Sequence, residues 1–313
     1  MRATVIKDEK LVVEERPDPV AADGEVLVRV RAAGLNGADI MQAAGHYPPP
    51  PGVPVDIPGM ELAGEVVARG PRAERFQIGD RVMAIVGGGA QAELCVVNER
   101  MLMAVPDGVD WPQAGGFPEV FLTAHDAVFT QAGLLAGERL LVHGAAGGVG
   151  TAAVQLGRAA GARVTATVRN PDHRDAVAAL GATVIAPEGF GEHGPFDVVL
   201  ELVGAVNLGE NLMSLETGGR IAVIGTGAGA TAEINLGLVM MKRARIHGST
   251  LRARPLELKA LATRAVERSV LPALAGGEIA VPIAETFPLE RVADAYDRFR
   301  AGAKLGKIVL LPG

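Results

Sequence analysis

Along the first hundred residues the apolar positions come in short alternating runs: VLVRVRAAG (26–34), ELAGEVVARG (61–70), DRVMAIV (80–86) and ELCVV (93–97). A period of two, punctuated by Gly, Pro and Asp, predicts half-buried strands joined by turns. Only the stretch from Gly37 to Gly45 carries a helical rhythm among them, so this part predicts a barrel-like β domain. From about residue 120 the pattern changes. The runs RLLVHG, ARVTATV, DVVLELVG and GRIAVIG alternate with Ala/Leu-rich helical stretches, the rhythm of a parallel sheet with crossover helices. A charged helical stretch from Pro255 to Ala275 follows, and the closing KIVLLP is a strand able to return to the first domain. The Pro-rich segment HYPPPPGVPVDIPG (46–59) reads as a rigid loop.

The segment HGAAGGVG (143–150) directly follows the apolar run Leu140, Leu141, Val142. Gly144, Gly147 and Gly150 are spaced three apart with Gly148 inserted, and a helix is predicted from Val149 to Ala160, ended by Gly161. Glycines between a strand and a helix permit a tight turn and let a pyrophosphate approach the N–H groups of the helix start, whose dipole favours an anion. The same glycines also suit a helix–sheet turn that only needs small residues, but ARVTATV supplies the second strand that a dinucleotide site requires. About twenty residues on, where an NAD site carries Asp or Glu, the chain has Val168, Arg169 and Asn170. Arg169 with His173 or Arg174 suits a 2′-phosphate, which favours NADPH over NADH; a solvated arginine is the alternative, and Asp172 lies close by.

Composition narrows the ligand class. At 313 residues, 49% hydrophobic and 21% charged, the chain suits a globular protein of two domains. A net charge of −6 without any Lys/Arg block argues against nucleic acid or an anionic membrane as the main partner, leaving a small molecule. The first residues, MRATVIKDEKLVVEE, lack the apolar core of a signal peptide, and no apolar run of about 18 residues occurs, so a cytoplasmic location is expected. Cys95 is the only cysteine, which excludes an intrachain disulfide and a multi-cysteine zinc site.

Together AAGLNGADIMQAAGHYPPPP (32–51), PGMELAGEVVARGP (58–71), GFPEVFLTAHDAV (116–128), HGAAGGVGTAAVQL (143–156) and KLGKIVLLP (304–312) resemble the medium-chain dehydrogenase/reductase superfamily over essentially the whole chain. The resemblance is to its zinc-independent quinone oxidoreductases, in particular the p53-inducible branch. It implies an α/β fold: a GroES-like β-barrel domain (1–118), a Rossmann domain with a doubly wound parallel sheet (119–254), and a segment (255–313) returning to the first domain, with substrate in the cleft between them. Where alcohol dehydrogenases of this superfamily carry the Cys and His ligands of catalytic zinc, this chain has Gly34 and Met60, and the four-cysteine structural zinc lobe is missing, so no metal is expected.

The resemblance also implies site residues. Asn36 and Asp39 match polar residues beside the nicotinamide, where Asn36 would bond a ribose or a substrate carbonyl; it also reads as a turn residue capping a short helix. Tyr47 and its prolines would rim the pocket. Thr123 would serve the nicotinamide ribose or amide, or cap a helix, while His125 reads as a packing or surface residue. Gly144, Gly147, Gly148 and Val149 would hold the pyrophosphate, and Gly225, Thr250 and Leu251 would border the nicotinamide. Lys307 would return to the cleft, although a lysine before a last strand is often solvated, and Lys304 stands where close relatives have Asn, altering cofactor contacts. Ala186 and Pro187 replace the Asn-Tyr that often accompanies NADPH, and Glu201 replaces a more usual Asp without a catalytic role. The activity implied is hydride transfer from NADPH to a quinone without zinc. The alternatives are reduction of an activated alkene, which needs a proton donor for carbon such as Tyr47 or water, and a non-enzymatic NADPH-binding protein. A homodimer joined near TAEINLGLVMM is implied as well.

Overall fold

A hairpin that the alternating pattern does not announce comes first: β1 (Arg2–Lys7) and β2 (Lys10–Glu15) pair antiparallel. Its two turn residues, Asp8 and Glu9, take positive φ values of 49° and 61° without the Asn-Gly pair that usually marks such a turn. The computed structural model describes all residues from 1 to 313. Next come β3 (Glu25–Gly34), α1 (Gly37–Ala43), β4 (Glu61–Arg69), β5 (Arg81–Ile85), β6 (Leu94–Asn98), β7 (Leu102–Ala104), α2 (Trp111–Gly116) and α3 (Pro118–His125). The ten-residue β3 organises this part, pairing antiparallel with β4 along one edge and with β6 at Glu25–Arg29 on the other. Its alternation of buried Val26, Val28, Val30 and Ala32 with more exposed partners is what a strand with one face on the core requires.

The second part is a parallel sheet. β8 (Arg139–Val142), α4 (Gly148–Ala159), β9 (Arg163–Thr167), α5 (Arg174–Ala179), β10 (Thr183–Ile185), β11 (Phe196–Glu201), α6 (Leu208–Met213), β12 (Leu215–Val223), α7 (Leu236–Lys242) and β13 (Arg245–Gly248) follow in turn. The strand order β10-β9-β8-β11-β12-β13 reverses direction between β8 and β11. Such an order leaves a crevice at the carboxyl ends of those two strands. Leu141, Val199 and Ile221, one from each of three neighbouring strands, form its apolar centre with Phe190, Phe196 and Leu212.

The chain then forms α8 (Leu256–Ser269), α9 (Leu271–Ala275), β14 (Ile283–Pro288), α10 (Val292–Arg300) and β15 (Lys307–Leu311). β15 pairs antiparallel with the end of β3 through Val309↔Gly34 and Leu310↔Ala33, and parallel with β14. The chain accordingly divides into one unit of Met1–Leu122 with Leu251–Gly313 and another of Thr123–Thr250. In the first, α10 covers a cluster of Leu35, Phe287, Leu289, Val292, Ile308 and Leu310 around the fully buried Tyr296, whose hydroxyl donates to Gln91 Oε1 at 3.0 Å. No helix is long and apolar enough to cross a membrane.

Candidate functional site

In the first unit four polar side chains from distant parts of the sequence meet out of water. Asn36 precedes α1, Asp39 lies in its first turn, Glu61 opens β4 and Lys307 opens β15; all are buried. The Lys307 ammonium donates to Glu61 Oε1 at 2.6 Å, to Asn36 Oδ1 at 2.7 Å and to the Leu35 carbonyl at 2.7 Å, which uses all three of its protons. Asn36 Nδ2 donates to Glu61 Oε1 at 2.9 Å and to the Gly34 carbonyl at 3.3 Å. The second Glu61 oxygen accepts the Glu119 N–H at 2.8 Å.

The geometry bears on three of these side chains. Lys307 is not solvated: its three ammonium protons go to Glu61, Asn36 and the Leu35 carbonyl. Asn36 is the N-cap of α1 and forms a reciprocal capping box with Asp39, which accepts the Asn36 N–H at 2.8 Å, while the Asn36 amide also turns toward Lys307 and Glu61. Both Asn36 amide protons are engaged, and its Oδ1 accepts from Lys307. Asp39 also accepts the Gly59 N–H at 3.1 Å, and burial pushes its carboxyl up to about 6.

Beside this network Arg252, buried and without a carboxylate partner, donates to the carbonyls of Gly87 at 2.8 Å and Tyr47 at 3.0 Å and to Gln42 Oε1 at 2.5 Å. Its guanidinium lies 5.1 Å from the centre of the Tyr47 ring, fixing the start of the Pro-rich loop. Burial raises the Tyr47 phenol above its ordinary range. Lys304 lies outside the network, its ammonium 4.4 Å from the Phe299 ring centre and bonded to the Gly306 carbonyl at 3.0 Å; burial lowers it to about 8.

In the second unit Gly144 turns the chain out of β8 with φ +61°, and Gly147 caps α4 without a side chain. The N–H groups of the first α4 turn, Gly148, Val149 and Gly150, therefore lack an intrahelical partner and a side-chain cap, which is the donor set an anion needs. A Cβ at Gly150 would lie 2.6 Å from Ala145 Cα and 2.7 Å from the Gly144 carbonyl, so the loop is shaped around the missing side chain. The residues present fit a dinucleotide pyrophosphate at the crevice after β8.

Past β9, Arg169 is exposed, His173 is half-buried with Nε2 unpaired, and Arg174 donates to the Val168 carbonyl at 3.2 Å. Thr123 is half-buried, while His125 is half-buried with its ring 5.2 Å from that of Phe129. Gly225 packs so tightly that a Cβ would meet the Leu202 carbonyl at 2.2 Å. Thr250 is exposed at the end of this unit, and Leu251, buried, begins the return to the first.

Sequence reasoning passed over Glu61, Arg252, Thr167, Asn211 and the role of His143. The signal for the first two was present, since each adjoins a position already singled out: Glu61 follows Met60, and Arg252 follows Leu251. Glu201, given no catalytic role, ties down a loop by accepting the N–H groups of Val203 at 2.7 Å and Gly204 at 2.8 Å.

The alcohol dehydrogenase GroES-like domain model matches residues 22–129, and the zinc-binding dehydrogenase model matches residues 148–267. The quinone oxidoreductase of Homo sapiens is 32% identical over 307 residues, covering 94% of this chain and 91% of that one. The erythronolide synthase EryA2 of Saccharopolyspora erythraea is 44% identical over 176 residues, which is 55% of this chain and 5% of that one. Among solved structures an NAD-dependent alcohol dehydrogenase superposes with a TM-score of 0.88 at 27% identity, covering 100% of both chains. Two family models along one chain, and a relative matched over 94% of it, agree with the β domain and the parallel sheet described above: the chain belongs to the medium-chain dehydrogenase/reductase family and is an oxidoreductase with a GroES-like domain and a Rossmann-type sheet.

Proposed function

We propose that this protein transfers a hydride from NADPH to a quinone without the help of zinc. The observation that carries the reading is the chemistry around position 34. A Cβ at Gly34 would lie 2.3 Å from Glu61 Oε1 and 2.9 Å from the Gly115 carbonyl, so no ligand side chain fits there. Met60 stands where the second ligand would be, and nowhere do three His, Cys, Asp or Glu side chains group to hold a metal ion. The Lys307–Glu61–Asn36 network also keeps every ammonium and amide proton for itself. The network thus has no proton to give, which suits a quinone, whose reduced oxygen takes its proton from water; an alkene's carbon would have to draw on Tyr47 or water. Bound at the glycine loop, a reduced nicotinamide cofactor supplies the hydride.

This chain's residues would bind and orient. The first-turn N–H groups of α4 receive the pyrophosphate, and Arg169, Arg174 and the unpaired His173 Nε2 receive a 2′-phosphate, which is the support for NADPH over NADH. Within the second unit Thr123, Gly225 and Thr250 would border the nicotinamide; within the first, Asp39 holds the Asn36 turn, Asn36 would accept from a hydroxyl, and Tyr47 and Leu251 remain the candidates the resemblance implies. The exposed Leu236, Met240, Met241 and Ile246, on α7 and the edge strand β13, favour a homodimer through that edge.

A second reading, reduction of an activated C=C bond, is favoured by the segment shared with the erythronolide synthase EryA2. Purified protein with NADPH is offered 1,2-naphthoquinone, 1,4-benzoquinone and a trans-2-alkenal in parallel, each with and without a zinc chelator. Chelator-resistant turnover of the quinones supports the proposal. Turnover of the alkenal alone replaces it with the second reading, and binding of NADPH without any turnover points to a non-enzymatic role.

A further inference from the structure

Behind the glycine loop runs a hydrogen-bonded chain that never reaches solvent. Its members are Glu201 at the end of β11, Asn211 in α6, His143 just past β8 and Thr167 at the end of β9, with exposures of 3%, 0%, 1% and 2%. The direction of every bond follows from its first member. Both Glu201 oxygens accept, Oε1 from the Val203 and Gly204 N–H groups and Oε2 from Asn207 Nδ2, so Asn211 turns its own Nδ2 toward Glu201 Oε2, at 2.8 Å. The Asn211 Oδ1 then faces His143 Nε2 at 2.8 Å, and that nitrogen must carry the proton. Burial keeps the ring neutral, so Nδ1 is left bare and the hydroxyl of Thr167 donates to it at 3.2 Å. With its own proton committed, Thr167 Oγ1 offers a lone pair to the Gly144 N–H at 3.3 Å. The Thr167 carbonyl takes the next loop amide, Ala145, at 3.1 Å. The Phe190 ring stands edge-on to the imidazole with centroids 4.5 Å apart, closing the remaining face.

We propose that this relay positions the dinucleotide loop: Glu201 fixes the tautomer of His143, and His143 fixes Thr167 as the acceptor that holds Gly144 in place. None of the four side chains is given to the ligand. Gly144 takes the left-handed turn that sends the chain toward α4, and a turn held by two bonds from Thr167 presents the first-turn amides of α4 in one arrangement. In the opposite tautomer Nδ1–H would face the Thr167 hydroxyl, and Nε2 would face the Asn211 carbonyl with no proton between them. The relay is therefore single-valued, and its output is ligand affinity.

The inference rests on reading the loop as a dinucleotide site, and the experiment separates the two. Binding of NADPH and of NADH is titrated for the wild type, Thr167→Val and Thr167→Ser, and the wild type labelled with ¹⁵N-histidine is examined by NMR for the His143 ring. The expected result is an Nε2–H tautomer in the free protein, about tenfold weaker binding of both cofactors by Thr167→Val, which loses the hydroxyl but not the carbonyl bond, and recovery in Thr167→Ser. Unchanged affinity in Thr167→Val, or an Nδ1–H tautomer, overturns the relay. A wild type that binds neither cofactor overturns the dinucleotide reading and this output with it, whatever the tautomer. The NMR measurement needs no variant, so it scores the relay geometry even if Thr167→Val fails to fold.

Discussion

Replacing Lys307 with Met keeps an unbranched, largely apolar side chain and removes one charge from the first unit. The change leaves the Glu61 carboxylate, 0% exposed, with only the Asn36 amide and the Glu119 N–H, and it empties one of the bonds that orient Asn36. Removing one partner of a buried ion pair costs about 3–5 kcal/mol, because the remaining charge stays desolvated and unpaired. Trp111, the only tryptophan, lies on α2, which packs against β3, β4 and β15 in the same unit, so its fluorescence reports unfolding where the pair sits. With a urea slope of about 2 kcal/mol per M, the Lys307→Met midpoint should fall by about 1.5–2.5 M. Converting Glu61 to Gln in the same molecule removes the stranded charge, and the double variant should regain about half or more of the loss. A single-variant loss under about 1 kcal/mol, or a double variant as damaged as the sum of the singles, would show that the charges do not depend on each other and refute the network.

Gly150→Ala drives a Cβ against Ala145 and Gly144 backbone, so dinucleotide binding should be lost; a titration with wild-type affinity would contradict the loop geometry. Arg169→Ala with His173→Ala should weaken NADPH binding about ten- to a hundredfold and leave NADH unaffected, and equal losses for both cofactors would remove the 2′-phosphate assignment. Burial holds the His143 imidazole below its ordinary pKa, against the opposing pull of Glu201 and Glu210. The unfolded chain then takes up the proton first, so stability should fall as pH drops below about 6.5, and thermal melts of His143→Gln should show a shallower acid slope; identical slopes would exclude this residue as the cause. Ile246→Lys on the edge strand should convert a dimer to a monomer by light scattering, while a wild type that is already monomeric would dispose of the proposed interface.

The readings that survived contact with the structure were local. Alternation in VLVRVRAAG marked β3, and the glycine turn after RLLV marked β8 and the start of α4 to within one residue, because strand period, helix entry and a tight turn are set by neighbours in sequence. The hairpin of β1 and β2 escaped for a local reason too: Asp8 and Glu9 take up a left-handed turn that their residue types do not advertise.

What the sequence by itself determined was the pair of fold types and the place of the glycine loop. Only the tertiary structure decided what the polar residues do. Asn36, Asp39, Glu61 and Lys307 span most of the chain length, and none advertises a partner; pairing β15 with the end of β3 brings Lys307 to the other three. Glu201, Asn211, His143 and Thr167 likewise sit on separate elements that meet only at the carboxyl ends of the parallel strands. A buried polar group must find its hydrogen-bond partner wherever the fold places one, and that distance in space is unrelated to distance along the chain.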